Sequence, residues 1–173
     1  MYPIIDSREG LAWIAQQAAL EVHVPQWKFV AQTVGPATRI VFDLDPGDGV
    51  QMGQLCAVAR EVRDLMADIG LPTFPVTSGS KGVHLYVPLT EPVSSHGASV
   101  LARRVAQQLE QAMPQQVTAT MTRSLRAGKV FLDWSQNSAA KTTVLRTRCV
   151  AASTRPLRRR GPGMSSTIRR CGS

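Results

Sequence analysis

The stretch RIVFDLDPGDG, residues 39–49, constrains this chain more than any other. Successive side chains of a strand point to opposite faces. Ile40, Phe42 and Leu44 therefore share one face, and Val41, Asp43 and Asp45 share the other. Pro46 and Gly47 end the run in a turn. The bulky apolar face must be covered, so the strand belongs inside a sheet with elements packed on it. The two carboxylates repel each other and lose hydration there unless something compensates them.

The rest of the body alternates helix and strand. Asp6 to Glu9 has capping-box spacing before an apolar-periodic run of Leu11, Ile14, Ala15 and Ala18. In LEVHVPQW, Val22 and Val24 point one way, Glu21 and His23 the other, and Pro25 limits central pairing. The clearest helix carries Met52, Leu55, Val58, Val62, Leu65, Met66 and Ile69, with Gly70 at its C′ position. TFPVT reads as a strand, SGSKG as a polar turn and VHLYV as a strand with His84 and Tyr86 on one face. Ser94 or Ser95 caps a second long helix that Pro114 stops. TATMTRSLRAG reads as irregular, and KVFLDW as the last strand, with Phe131 and Asp133 on one face. Trp13, Trp27 and Trp134 are expected to pack.

Composition narrows the partners only once charge is located. The net charge is +8, yet residues 1–143 hold twelve Lys and Arg against twelve Asp and Glu. The excess sits in residues 144–173, with eight Arg and no acid, so the pI says nothing about the folded part. No run approaches the length of an apolar membrane span. The N-terminus lacks a signal-peptide layout, which makes the cytoplasm the expected compartment. Cys56, Cys149 and Cys171 show no paired metal spacing, and no disulfide frame or zinc site is expected.

Asp43 and Asp45 on one strand, with Asp133 on another, suit hard divalent cations such as Mg²⁺ or Mn²⁺. Three such carboxylates make the usual set for two-metal phosphoryl transfer. The plainer alternative has the first two capping a turn or pairing with Arg, and Asp133 as a strand-end residue. TSGSKGVH, residues 77–84, is the second constellation. Gly79 and Gly82 allow close backbone approach, successive N–H groups can form an anion nest, and Ser78, Ser80 and Lys81 add donors and charge. It is not a P-loop, and a Ser/Gly turn with a solvated Lys is common. Arg123, Arg126 and Lys129 flank the Asp133 strand and could reach phosphates, or simply be solvated. His23 is either a ligand contact or a satisfied half-buried histidine.

An apolar strand ending in D-x-D occurs in two enzyme classes. VFDLD and PVTSGS resemble haloacid-dehalogenase-like phosphatases, but Pro46-Gly47 stands where that family has Gly-Thr, and its late acidic pair is missing. YPIIDSREGLAW…HVPQW, RIVFDLDPGDG, FPVTSGSKGVHLYVPL and GKVFLDWSQNS…KTT together resemble the polymerase domain of bacterial ATP-dependent DNA ligase D. That domain belongs to the archaeo-eukaryotic primase superfamily, and the form here resembles the actinobacterial one. The resemblance runs in order from Tyr2 to Thr143, with a short loop between Val30 and Gly35.

It implies a mixed, largely antiparallel central sheet with flanking helices and an RRM-like half. Asp43, Asp45 and Asp133 would be the catalytic carboxylates of a two-metal Mn²⁺ or Mg²⁺ site. Ser78, Lys81 and His84 would hold the triphosphate and sugar, with His23 and Arg126 nearby. The implied reaction is templated addition of nucleotides, ribonucleotides favoured, at gaps and broken ends in non-homologous end joining. The implied partners are DNA ends, gapped duplex DNA, ribo- and deoxyribonucleoside triphosphates, Ku and a ligase domain, in the nucleoid-associated cytoplasm. Inactivity of the truncated form, leaving a noncatalytic DNA-end or nucleotide-binding remnant, is the alternative.

Two departures bear on domain organisation. The family's N-terminal segment, with Lys residues for the 5′-phosphate of the downstream strand, does not precede Met1. After Thr143 the family's Pro-Tyr-Ser segment and its Arg are replaced by an aperiodic, Arg-only run. We expect a partial primase-polymerase domain over 1–143 and a disordered, non-family tail over 144–173. A frameshift near codon 144 accounts for that composition; a genuine basic tail is the rival reading.

Overall fold

The structure, a computed structural model, describes residues 3–19, 21–31, 33–78 and 80–145. The chain opens with helix α1 (Arg8–Gln16), the short strand β1 (His23–Pro25), and a hairpin of β2 (Trp27–Val30) with the long β3 (Thr33–Pro46). Helix α2 (Met52–Asp68), β4 (Phe74–Thr77), β5 (Val83–Val93) and helix α3 (Ser95–Ala112) follow. The end of the body is β6 (Val117–Thr118), β7 (Val130–Asp133) and β8 (Thr142–Val144), with 3-10 turns over Arg123–Leu125 and Ser135–Asn137.

The main sheet has the order β4-β5-β3-β7-β6, and β2 also pairs with β3. Among the described ladders only β6–β7 is parallel. Strands β1 and β8 form a separate antiparallel pair. The fold is thus the mixed, largely antiparallel sheet with flanking helices that the family resemblance implies.

One face of that sheet makes the core. Ile40, Phe42 and Leu44 of β3 join Leu85 and Leu132 there, all essentially inaccessible to water. Helix α2 lays Leu55, Val58, Val62 and Met66 on them at helical spacing. Helix α3 approaches through Ala98, Ala102 and Ala106, whose small side chains let it sit close. Each large apolar side chain buried this way contributes about 1.5–3 kcal/mol. The helix ends follow the expected chemistry. Ser94 Oγ accepts a hydrogen bond from Gly97 N at 3.0 Å, and Gly70 takes φ +78° after α2.

Several expectations are corrected. Helix α1 is capped by Ser7, whose Oγ accepts from Gly10 N at 3.1 Å, not by a box starting at Asp6. It buries no residue, and Leu11 and Trp13 are 62% and 52% exposed. Amphipathic spacing creates a face but cannot supply the surface that covers it. Trp27, by contrast, is buried as expected. Part of the segment read as irregular pairs as β6. The Glu110 carboxylate on α3 accepts from Thr118 Oγ1 (2.9 Å) and Ala119 N (3.0 Å), anchoring it. Cys56, expected outside any disulfide, is disulfide-bonded. The tail expected over 144–173 lies outside the described residues, apart from Val144 and Leu145. Among the described residues no helix is long and apolar enough to cross a membrane.

Candidate active site

Register brings the polar face together. Asp43 on β3 stands opposite His84 of β5 on one side and opposite Asp133 of β7 on the other. Three strands thus carry a row of His84, Asp43 and Asp133, on the face away from α2 and α3. Asp45 lies two residues along β3 on the same face.

Each carboxylate has its own surroundings. Asp43 Oδ1 is buried 3.1 Å from His84 Nε2, but that contact lacks hydrogen-bond alignment and the oxygen has no hydrogen-bond partner. His84 Nδ1 lies 3.4 Å from the Tyr86 hydroxyl, which donates to Val144 O at 3.1 Å. Asp133 is 8% exposed and well satisfied. Its Oδ1 accepts from Ser135 N (2.8 Å) and Ser135 Oγ (2.6 Å), and its Oδ2 from Gln136 Nε2 (3.0 Å). Lys141 Nζ stands 4.0 Å from Asp133 Oδ2 and contacts Ser135 Oγ. Asp45 is the exposed member, yet its pKa is raised. Desolvation by the surrounding chain is the largest cause, followed by the charges of Asp43 and Asp133.

The 78–82 turn packs directly on Asp45. Ser78 Oγ accepts from Gly82 N at 3.1 Å and Ser80 N at 3.4 Å. A Cβ at Gly82 would stand 2.8 Å from Leu44 O and 3.2 Å from Asp45 Oδ1, so only glycine allows this approach. Lys81 is exposed on the same turn. Gly79 lies outside the described residues.

A second turn borders Asp45 from β7. A Cβ at Gly47 would fall 1.8 Å from Arg126 O, so the turn after β3 is pressed onto the turn before β7. The Arg126 guanidinium lies over the Phe131 ring at 3.6 Å, donates to Met121 O at 2.6 Å, and pulls the Asp45 pKa down. His23 sits farther out. It is exposed, 3.4 Å from Glu21 Oε2, and pairs on β1 with Val144, the residue that receives the Tyr86 hydroxyl.

Sequence reasoning missed the supports. Ser135 makes an Asx-type turn with Asp133, a signal present in D-W-S. Arg39 shares the Asp43 face, donates from Nε to Gln26 Oε1 at 2.6 Å and lies 5.6 Å from the Tyr86 ring. Gln26 in turn donates to Thr143 Oγ1 at 2.8 Å, across 117 residues of sequence, which no local pattern announces.

The family model for the LigD primase-polymerase domain matches residues 1–159. The chain belongs to the LigD primase-polymerase family. It is 78% identical over 143 residues to the multifunctional non-homologous end joining protein LigD of Mycolicibacterium smegmatis, covering 83% of this chain and 19% of that protein. The LigD of Pseudomonas aeruginosa is 31% identical over 140 residues, covering 81% of this chain and 16% of its own length. A solved structure, the polymerase domain from Mycobacterium tuberculosis ligase D in complex with DNA, superposes with a TM-score of 0.79 at 76% identity. That match covers 83% of this chain and 52% of the solved one. The chain spans about a fifth of the length of its mycobacterial LigD relatives. Of the two classes sharing the D-x-D pattern, the primase-polymerase family is the one matched.

The donor set of this LigD-family face suits a hard divalent cation. Three carboxylates share the face, Asp43 Oδ1 is buried without a hydrogen-bond partner, and the Asp45 pKa is raised by desolvation and then by the charges of Asp43 and Asp133. The set is not a closed cage. Both Asp133 oxygens are turned onto the 135–136 backbone and side chains, and among the described residues no three acidic, His or Cys side chains converge on one point.

Proposed function

We propose that this chain catalyses metal-dependent, templated nucleotidyl transfer, extending primer ends and filling gaps in non-homologous end joining with a preference for ribonucleotides. The observation that carries this is the row of His84, Asp43 and Asp133 across three strands, with Asp45 beside the Ser78–Gly82 turn. Asp43, Asp45 and Asp133 would hold Mn²⁺ or Mg²⁺. A bound divalent cation supplies a lowered pKa at the primer 3′-OH and neutralises triphosphate charge.

The protein's own groups do the rest. Ser78 Oγ already accepts two backbone N–H groups, so its hydroxyl hydrogen is the part left to donate to a phosphate oxygen. Lys81 adds positive charge on the same turn. His84, braced by Tyr86, orients toward Asp43 and the incoming nucleotide. Arg126, pinned on Phe131, sets a fixed positive charge at the Asp45 edge. His23 borders the nucleotide site from β1. DNA ends, gapped duplexes and nucleoside triphosphates are the proposed ligands. Ku and a ligase domain are the proposed partners, in the nucleoid-associated cytoplasm.

A second reading is a noncatalytic DNA-end or nucleotide-binding protein. It draws on the satisfied state of Asp133, whose oxygens both have protein partners. One assay separates the two. Primer extension is followed on a short gapped duplex with a 5′-phosphate, Mn²⁺ and ribonucleotides, with Asp133→Ala alongside. Partners of metal ligands are worth about 10–100-fold, so removing the ligand itself should cost at least about 100-fold. No extension by a folded, Mn²⁺-binding chain would favour the noncatalytic reading.

A further inference from the structure

The β3–β7 ladder ends at its most repulsive pair. Its final register pair is Asp43 opposite Asp133, and like charges facing each other across a ladder push the strands apart. Beyond Asp133 the chain leaves the sheet for the Ser135–Asn137 turn. The free side of β3 is then taken up by one side chain. Asn137 Oδ1 accepts from Val41 N at 2.8 Å, and Asn137 Nδ2 donates to Val41 O at 2.8 Å. These are the two bonds that a further residue of β7 would have made.

Nδ2 also donates to Trp134 O at 2.8 Å, which closes the turn that holds Asp133. Asn137 is 1% exposed, so both its polar atoms depend on these partners. Only a carboxamide offers an acceptor and a donor at this spacing. Val41 lies two residues before Asp43, and Trp134 directly follows Asp133. One buried side chain thus ties together the two backbone segments that carry the opposed carboxylates, at the point where repulsion would splay them.

We infer that Asn137 is a positioning residue: it sets the separation of Asp43 and Asp133, and through it the divalent-cation affinity of the site. The inference rests on the metal-dependent reading above. Asn137 contacts neither carboxylate, so its effect is geometric.

The test is Mn²⁺ binding to the full chain, read from the free-Mn²⁺ signal by electron paramagnetic resonance, for wild type and Asn137→Ala, with melting curves beside. The folded variant should bind Mn²⁺ about 10–100-fold more weakly, the range for groups that orient metal ligands. Its primer extension should recover as Mn²⁺ is raised, with the nucleotide KM at saturating Mn²⁺ unchanged. A folded variant with wild-type Mn²⁺ affinity overturns the inference. If Asn137→Ala does not fold, Asn137→Ser is measured in the same way, and failure of both to fold makes the residue merely structural and overturns it too. A wild-type chain that binds no Mn²⁺ overturns the metal-dependent reading itself. Equal binding by wild type and variant overturns only the role of Asn137.

Discussion

His84 Nε2 stands 3.1 Å from Asp43 Oδ1 across the β3–β5 ladder, and both side chains are largely buried. The histidine is the nearest compensation for a carboxylate oxygen that has no hydrogen-bond partner. Removing it as His84→Ala should destabilise the fold by about 1–3 kcal/mol, through the lost contact to Asp43 and the lost packing of a buried ring. In an Asp43→Asn background the same change should cost less. Urea denaturation of the four proteins of that cycle checks it; equal costs in both backgrounds would deny the coupling.

Gly82 is fixed by close approach. Its Cα faces Leu44 O and Asp45 Oδ1 so tightly that a methyl group would reach 2.8 Å from the carbonyl. Gly82→Ala must shift the 78–82 turn, at about 1–3 kcal/mol of stability. Nucleotide affinity should fall with it, because Ser78 and Lys81 ride on that turn. Thermal melting and nucleotide titration would show both; a variant with normal affinity would uncouple the turn from nucleotide binding.

Asp45 gives a pH test. Its raised pKa means that the ionised form is disfavoured in the fold. The relative stability it contributes is present below the unfolded pKa of Asp and is lost as pH rises through the folded value. In metal-free protein, Asp45→Asn should therefore raise Tm at pH 7 and have little effect well below the carboxylate range. Asp45 is exposed, so screening limits the gain to about 0.5 kcal/mol. Added Mn²⁺ should reverse the order of the two proteins at pH 7. A variant that is less stable at pH 7 without metal would contradict this.

The core makes a separate demand. Phe42 is fully buried between the sheet and the helices, next in sequence to Asp43. Phe42→Ala should cost about 3–5 kcal/mol. Equilibrium unfolding measures this directly, and a loss below about 1 kcal/mol would mean that the site collapses around the cavity.

Much of this protein was legible in its linear order. Alternation along residues 40–45 separates core residues from carboxylates because strand side chains flip with a period of two, whatever the partner strands are. The spacing of Leu55, Val58, Val62 and Met66 marks α2 for the same local reason. Tertiary structure decided what those faces meet. Asp43 faces Asp133 and His84 only because pairing joins strands some 40 and 90 residues apart along the chain. Asn137 looks like an ordinary polar loop residue until its carboxamide lies against Val41. Helix α1 shows the converse: its apolar spacing is present, but Leu11 and Trp13 stay exposed. Periodicity is a property of one segment, whereas burial and register belong to two.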